Sequence, residues 1–182
     1  MSPSTSWHRS VVALVAGLVL AAPIGAQAGI LTGLSIRGGF WRPDSGFARS
    51  AAGDVMWGGG LEYQLAHFPS FLNGDQWSTS ISADFHYAQK KNYGVSRMIP
   101  VALNQVYTFD QEGCVSPYAG FFVAAVTISG THQSTVTRLG GGLIGGLDFG
   151  KSLYIEGRYQ VVDDHHLNAK LPGLFGYVGY RF

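Results

Sequence analysis

Apolar residues recur at every second position through most of this chain. The last nine residues show it plainly. Leu174, Gly176, Val178, Tyr180 and Phe182 share one face, and Phe175, Tyr177, Gly179 and Arg181 share the other. A period of two marks an extended strand with differently solvated faces. The strand reaches the final residue with an apolar face bare. An open edge of that kind invites aggregation in water, whereas a strand that closes a barrel in lipid has no free edge.

The same alternation predicts seven further strands: Leu31 to Trp41, Met56 to Ala66, Trp77 to Tyr87, Met98 to Phe109, Pro117 to Ile128, Val136 to Phe149 and Leu153 to Val162. The third is the cleanest. Trp77, Thr79, Ile81, Ala83, Phe85 and Tyr87 oppose Ser78, Ser80, Ser82, Asp84 and His86. The fifth is apolar on both faces. Pro100 cannot donate to a ladder, so it is expected near the loop end of the fourth strand. Gly, Pro, Asn and Asp punctuate the connections. With both termini on the inner side, the turns near Asp110 and Gly150 lie inside. The loops after Trp41, Tyr87, Ile128 and Val162 lie outside, the last running from Asp163 to Pro172. Short inner turns and longer outer loops are the usual barrel arrangement. The stretch His67 to Gln76 is long for an inner turn.

The N-terminal segment differs. His8 and Arg9 precede an apolar run from Val11 to Ala22, and Ala26-Gln27-Ala28 follows. This is the pattern of a secretory signal peptide, with cleavage expected after Ala28. Residues 29–182 then form one domain of about 154 residues. Eight strands would leave about 19 residues for each strand and connection, which suits a closed antiparallel up-and-down transmembrane barrel of about eight strands. Only 13% of the residues are charged, while 26 are Gly and 13% are aromatic. Glycine permits tight strand curvature and aromatics form interfacial girdles. Trp41, Trp57, Tyr63, Trp77, Tyr87, Tyr107, Tyr159 and Tyr180 are expected near the strand ends. A formal net charge of +1 gives no strong pull on nucleic acid.

Candidate chemistry lies on the polar face, which becomes the lumen of a barrel. Arg37, Glu62, Asp84, Glu156 and Arg158 fall mid-strand on that face, with His86 and Arg181 nearby. A small eight-stranded lumen is filled by side chains. Buried charges there must pair. A mid-depth belt of Arg37, Glu62, Asp84, Glu156 and Arg158 is therefore expected to plug the barrel, and a narrow gated path through the same residues is the alternative. Ser82, Asp84 and His86 have the residue types of a catalytic triad, but Ser82 and His86 would stand about 13 Å apart on one strand. Asp163-Asp164-His165-His166 has metal-binding residue types, yet extended neighbours point to opposite faces and no companion cluster is evident, so a solvated loop is expected. The single Cys114 excludes an internal disulfide, and it is expected as an incidental free thiol in an inner turn. No metal or cofactor site is expected.

Arg97-Met98-Ile99-Pro100-Val101, Pro117-Tyr118-Ala119-Gly120, Glu156-Gly157-Arg158-Tyr159 and the closing Gly176-Tyr177-Val178-Gly179-Tyr180-Arg181-Phe182 resemble the outer-membrane β-barrel domain family of Gram-negative bacteria. Small barrels of the OmpA-transmembrane and OmpX type share that architecture. The resemblance covers the whole chain after residue 28. It implies residence in the cell outer membrane, with lipid and lipopolysaccharide as surroundings and periplasmic chaperones on the route. It also implies that Val178, Tyr180 and Phe182 form the terminal signal read by the outer-membrane assembly machinery. The family is functionally mixed. A structural or surface-interaction role without catalysis is expected first, a narrow small-solute channel second, and an outer-membrane lipid-modifying enzyme as a remote third. Lipid A deacylases of similar size carry a His-x-Ser-Asn pattern in a late strand. The corresponding stretch here, Gly157 to Asp163, has neither His nor Ser.

Overall fold

The computed structural model describes residues 33–46, 49, 53–69, 75–90, 94–109, 114–130, 133–150, 152–164 and 169–182. The expected signal peptide lies outside them. Eight strands follow in order: β1 (Leu34–Pro43), β2 (Met56–Pro69), β3 (Gln76–Lys90), β4 (Gly94–Thr108), β5 (Val115–Gly130), β6 (Gln133–Phe149), β7 (Leu153–Asp164) and β8 (Ala169–Arg181). Each pairs antiparallel with the next, and β8 returns to β1 to close a barrel. The closing pair runs in register from Ser35 opposite Arg181 to Pro43 opposite Gly173.

The faces follow the alternation. Trp57, Leu61, Leu103, Phe121, Val123, Leu139, Leu143 and Val178 point outward, with Leu139 79% exposed. That is the reverse of a soluble core and fits a band that meets hydrocarbon. The inward residues are polar toward the inner turns and apolar toward the outer loops. Tyr118, Phe122, Ala124 and Val126 of β5 are buried inside, which accounts for the strand that is apolar on both faces.

Several expectations need correction. The connection His67 to Gln76 is not a long inner turn. A bulge between Gln64 and Ala66 resets the register, and β2 continues to Pro69 opposite Gln76. One extra residue in a strand breaks strict alternation without ending the ladder. Pro100 is not near a strand end. It sits mid-strand in β4, opposite Val126 of β5. On the other side the β3–β4 rungs run from Ala83↔Val101 to His86↔Met98, skipping the two between. The missing proline donor is thus absorbed as a local gap in the ladder. Asp163 and Asp164 are strand residues opposite Lys170 and Ala169, not loop; His165 and His166 lie outside the described residues.

The expected girdle forms only in part: Tyr63 of β2 and Tyr159 of β7 stand mid-strand, and Trp41, near the end of β1, points inward. It is 4% exposed inside the barrel, its ring 6.2 Å from that of Phe175. It directly follows the outward Phe40, so the period of two turns it inward. Trp57, Tyr63, Trp77, Tyr159 and Tyr180 do face outward. The Trp77 and Tyr107 rings meet edge to face at 5.1 Å.

Candidate functional site: a charged belt across the lumen

Arg37 is the hub of the lumen. β1 sets it opposite Gly60 of β2, and Gly60 stands opposite Asp84 of β3. With no side chain on the middle strand, the guanidinium reaches across to Asp84. Nε donates to Oδ1 at 2.7 Å and Nη2 donates to Oδ2 at 2.7 Å. This two-pronged pairing is the strongest geometry open to an arginine and a carboxylate. Nη1 donates to Glu62 Oε2 at 2.8 Å and to Glu156 Oε1 at 3.1 Å.

Arg158 completes the ring. Its Nε donates to Glu156 Oε1 at 2.6 Å, its Nη2 to Glu62 Oε2 at 3.0 Å and its Nη1 to Asn104 Oδ1 at 3.0 Å. Glu62 and Glu156 therefore each bridge both arginines. All five belt residues expected from the sequence meet in one network, with Arg37 and Arg158 almost fully buried. Two guanidinium groups face three carboxylates, an excess of one negative charge. The remaining carboxylate oxygens accept from neutral donors: Ser80 Oγ to Glu62 Oε1 at 2.6 Å, and Tyr118 OH to Glu156 Oε2 at 3.1 Å. Asn104 Nδ2 donates to Ser80 Oγ at 3.1 Å. The Tyr177 ring lies 4.6 Å from the Arg37 guanidinium carbon, within cation–π range. Sequence reasoning placed Ser80, Asn104, Tyr118 and Tyr177 on no site, because only register decides which polar neighbours reach a given carboxylate.

The belt divides two unlike compartments. On the turn side a polar vestibule of about 140 Å³ is lined by Ser35, Ser78, Ser80, Thr108 and Asp148 among others. There Arg181 Nη1 donates to Asp148 Oδ2 at 3.0 Å. On the loop side Trp41, Met56, Met98, Val126, Val162 and Phe175 form an apolar stopper, each under 5% exposed. His86 is fully buried at the junction. Its ring stands 5.1 Å from Phe175, and its Nε2 is 3.4 Å from Tyr177 OH.

The other candidates disperse. Ser82 Oγ accepts from Asn104 Nδ2 at 3.2 Å and from Arg158 Nη1 at 3.4 Å. Asp84 is held by Arg37, so Ser82, Asp84 and His86 each have a different partner. Among the described residues, no three His, Cys, Asp or Glu side chains are grouped to hold a metal. Cys114 is an exposed free thiol. Val178 and Tyr180 face outward from β8. Phe182 lies just past its end, with its amide donating to the Leu34 carbonyl at 2.9 Å.

These features define a small closed membrane barrel with a side-chain-filled lumen. No protein-family model matches the chain, and no curated protein matches it in sequence. Solved structures do. The chain is 15% identical to Neisserial surface protein A (NspA), with 83% of this chain and 98% of that one covered at a TM-score of 0.54. It is also 15% identical to the outer membrane enzyme PagL, with 81% and 98% covered at a TM-score of 0.60. The likeness is one of fold, and one fold carries many activities.

Proposed function

We propose that the chain is an integral outer-membrane barrel that works through its surface rather than through its lumen, in a structural or surface-interaction role without catalysis. The sealed belt carries this reading. An ion crossing the lumen would have to part the charge-assisted bonds of the belt and then traverse the apolar stopper. The narrow channel is the rival, and the polar vestibule beneath the belt is the observation that favours it. Single-channel recording of the refolded protein in planar bilayers separates the two. No steady conductance is expected from the unmodified barrel. A persistent open level would overturn the plug and promote the channel. The neighbour PagL is an enzyme; the dispersal of Ser82, Asp84 and His86 supports the non-catalytic reading here.

Lipid and lipopolysaccharide are the surroundings this reading requires, with chaperones and the assembly machinery as transient partners and no nucleic acid. The proposed assembly signal is Val178, Tyr180 and Phe182. Phe182 makes one backbone hydrogen bond to β1 and an edge-to-face contact with Tyr180 at 5.1 Å. That is little to lose from a barrel of eight strands. Deleting Phe182 should therefore lower insertion in cells much more than it lowers refolding yield in detergent. Equal losses in both assays would reduce it to a packing residue.

A further inference from the structure

The wall of the barrel is not paired to the same height all round. β6 pairs with β5 from Phe149 opposite Val115 up to Gln133 opposite Gly130. Its ladder with β7 stops at Gly140 opposite Val162. Beyond that rung, Asp163 and Asp164 of β7 pair with Lys170 and Ala169 of β8. Among the described residues, positions 133–139 therefore have a strand on one side only.

The open side presents main-chain groups. At the foot of the β5–β6 ladder the Gly150 N–H donates to the Cys114 carbonyl at 3.0 Å. Hydrogen-bonded and non-hydrogen-bonded pairs alternate from there, with no register shift before Ile128. Thr127 and Thr137 thus form a non-hydrogen-bonded pair. Their hydroxyls meet at 2.9 Å, the close side-chain approach such a pair has. The N–H and C=O of Thr137 consequently point away from β5. The carbonyl takes a 3.4 Å bond from the guanidinium of the next residue, Arg138, a long substitute for a ladder bond. Thr135, Val136 and Thr137 are all β-branched, and positions 133–139 include no Pro or Lys, the residues that blunt an edge. The outward apolar row of β6 ends at Leu139, and the next outward residues are the exposed Thr137 and Thr135. The edge therefore stands on the loop side, beyond the hydrocarbon band.

We infer that this edge accepts an extended segment of another protein, added as an antiparallel strand along residues 133–139. A row of open-side amides and carbonyls recognises a main chain, and neighbouring side chains set preference. Lipid offers no repeating amide to match it. A twofold pair of copies in one membrane does not fit either. Strands tilted by roughly 35–45° would cross their twofold mates at about 70–90°, too steep for a ladder. The fitting segment carries β-branched residues beside Thr137 and an acidic residue on the Arg138 face.

This names the partner class for the surface-interaction reading above, on which it rests. The barrel is refolded into phospholipid nanodiscs, and insertion is scored by the gel shift on heating. The probe is a fluorescent peptide with the sequence of residues 125–129, Ala-Val-Thr-Ile-Ser, flanked by glutamates. Those residues lie in the β5 stretch that already ladders with β6 from its other side. In the free barrel the Thr137 amide should exchange with deuterium faster than the Arg138 amide, which points to β5. The peptide should bind and slow Thr137 exchange. Thr137→Pro removes the open-side donor and should weaken binding roughly five- to tenfold. If that variant does not insert, the edge-blunting Thr137→Lys takes its place. The same peptide with an N-methylated backbone should not bind. A chain that fails to insert sinks the membrane reading itself. A chain that inserts overturns the inference alone if Thr137 exchanges as slowly as Arg138, if the peptide does not bind, if binding survives Thr137→Pro or N-methylation, or if two copies pair at this edge.

Discussion

Arg37→Met should lower the unfolding free energy by about 3–5 kcal/mol, the cost of leaving buried charge uncompensated. Arg37 donates to three carboxylates, and without it Glu62, Asp84 and Glu156 face Arg158 alone. Glu62→Gln should cost much less. It removes the excess negative charge, leaving two arginines and two carboxylates, and an amide oxygen still accepts a hydrogen bond. The double variant should recover part of the Arg37 loss, because one of the stranded carboxylates is gone. Urea unfolding of the barrel in lipid, followed by tryptophan fluorescence, measures all three. Equal losses for the two single variants, or strict additivity in the double, would show that the belt is not held by its charge pairing.

The belt was legible because its logic needs only parity. A residue's face is fixed by counting in twos. Arg37, Glu62, Asp84, Glu156 and Arg158 share the face opposite the apolar one, and a small lumen forces them together. What parity does not give is register. The reach of Arg37 over Gly60 to Asp84, and of Tyr118 over Gly146 to Glu156, depends on which glycine falls between two large side chains. The bulge at Gln64 and the gap at Pro100 are likewise register events, invisible until two strands are paired. Trp41 shows a different failure. Its ring type suggests an interface, but its position in the alternation places it in the stopper.

Gly60→Val should be nearly as damaging as loss of Arg37. A Cβ at Gly60 would run into Asp84 Oδ1 and the Ala83 carbonyl. Asp84 sits where the β3–β4 ladder already skips its rungs, so fewer backbone bonds resist its displacement. Moving the carboxylate breaks both bonds from Arg37, and a loss of about 3–5 kcal/mol is expected as for any broken buried pair. Gly38→Ala is the matched control. It changes the strand next door on the opposite face, where a Cβ meets nothing nearer than 4.0 Å. It should fall within about 0.5 kcal/mol of wild type, as surface substitutions do. The cause can be isolated in an Asp84→Asn background. If valine acts by pushing the carboxylate off Arg37, its cost should shrink once that charge is absent. If the cost is unchanged, the damage comes from the clash with the Ala83 backbone, and Gly60 serves the close approach of β2 and β3 rather than the belt.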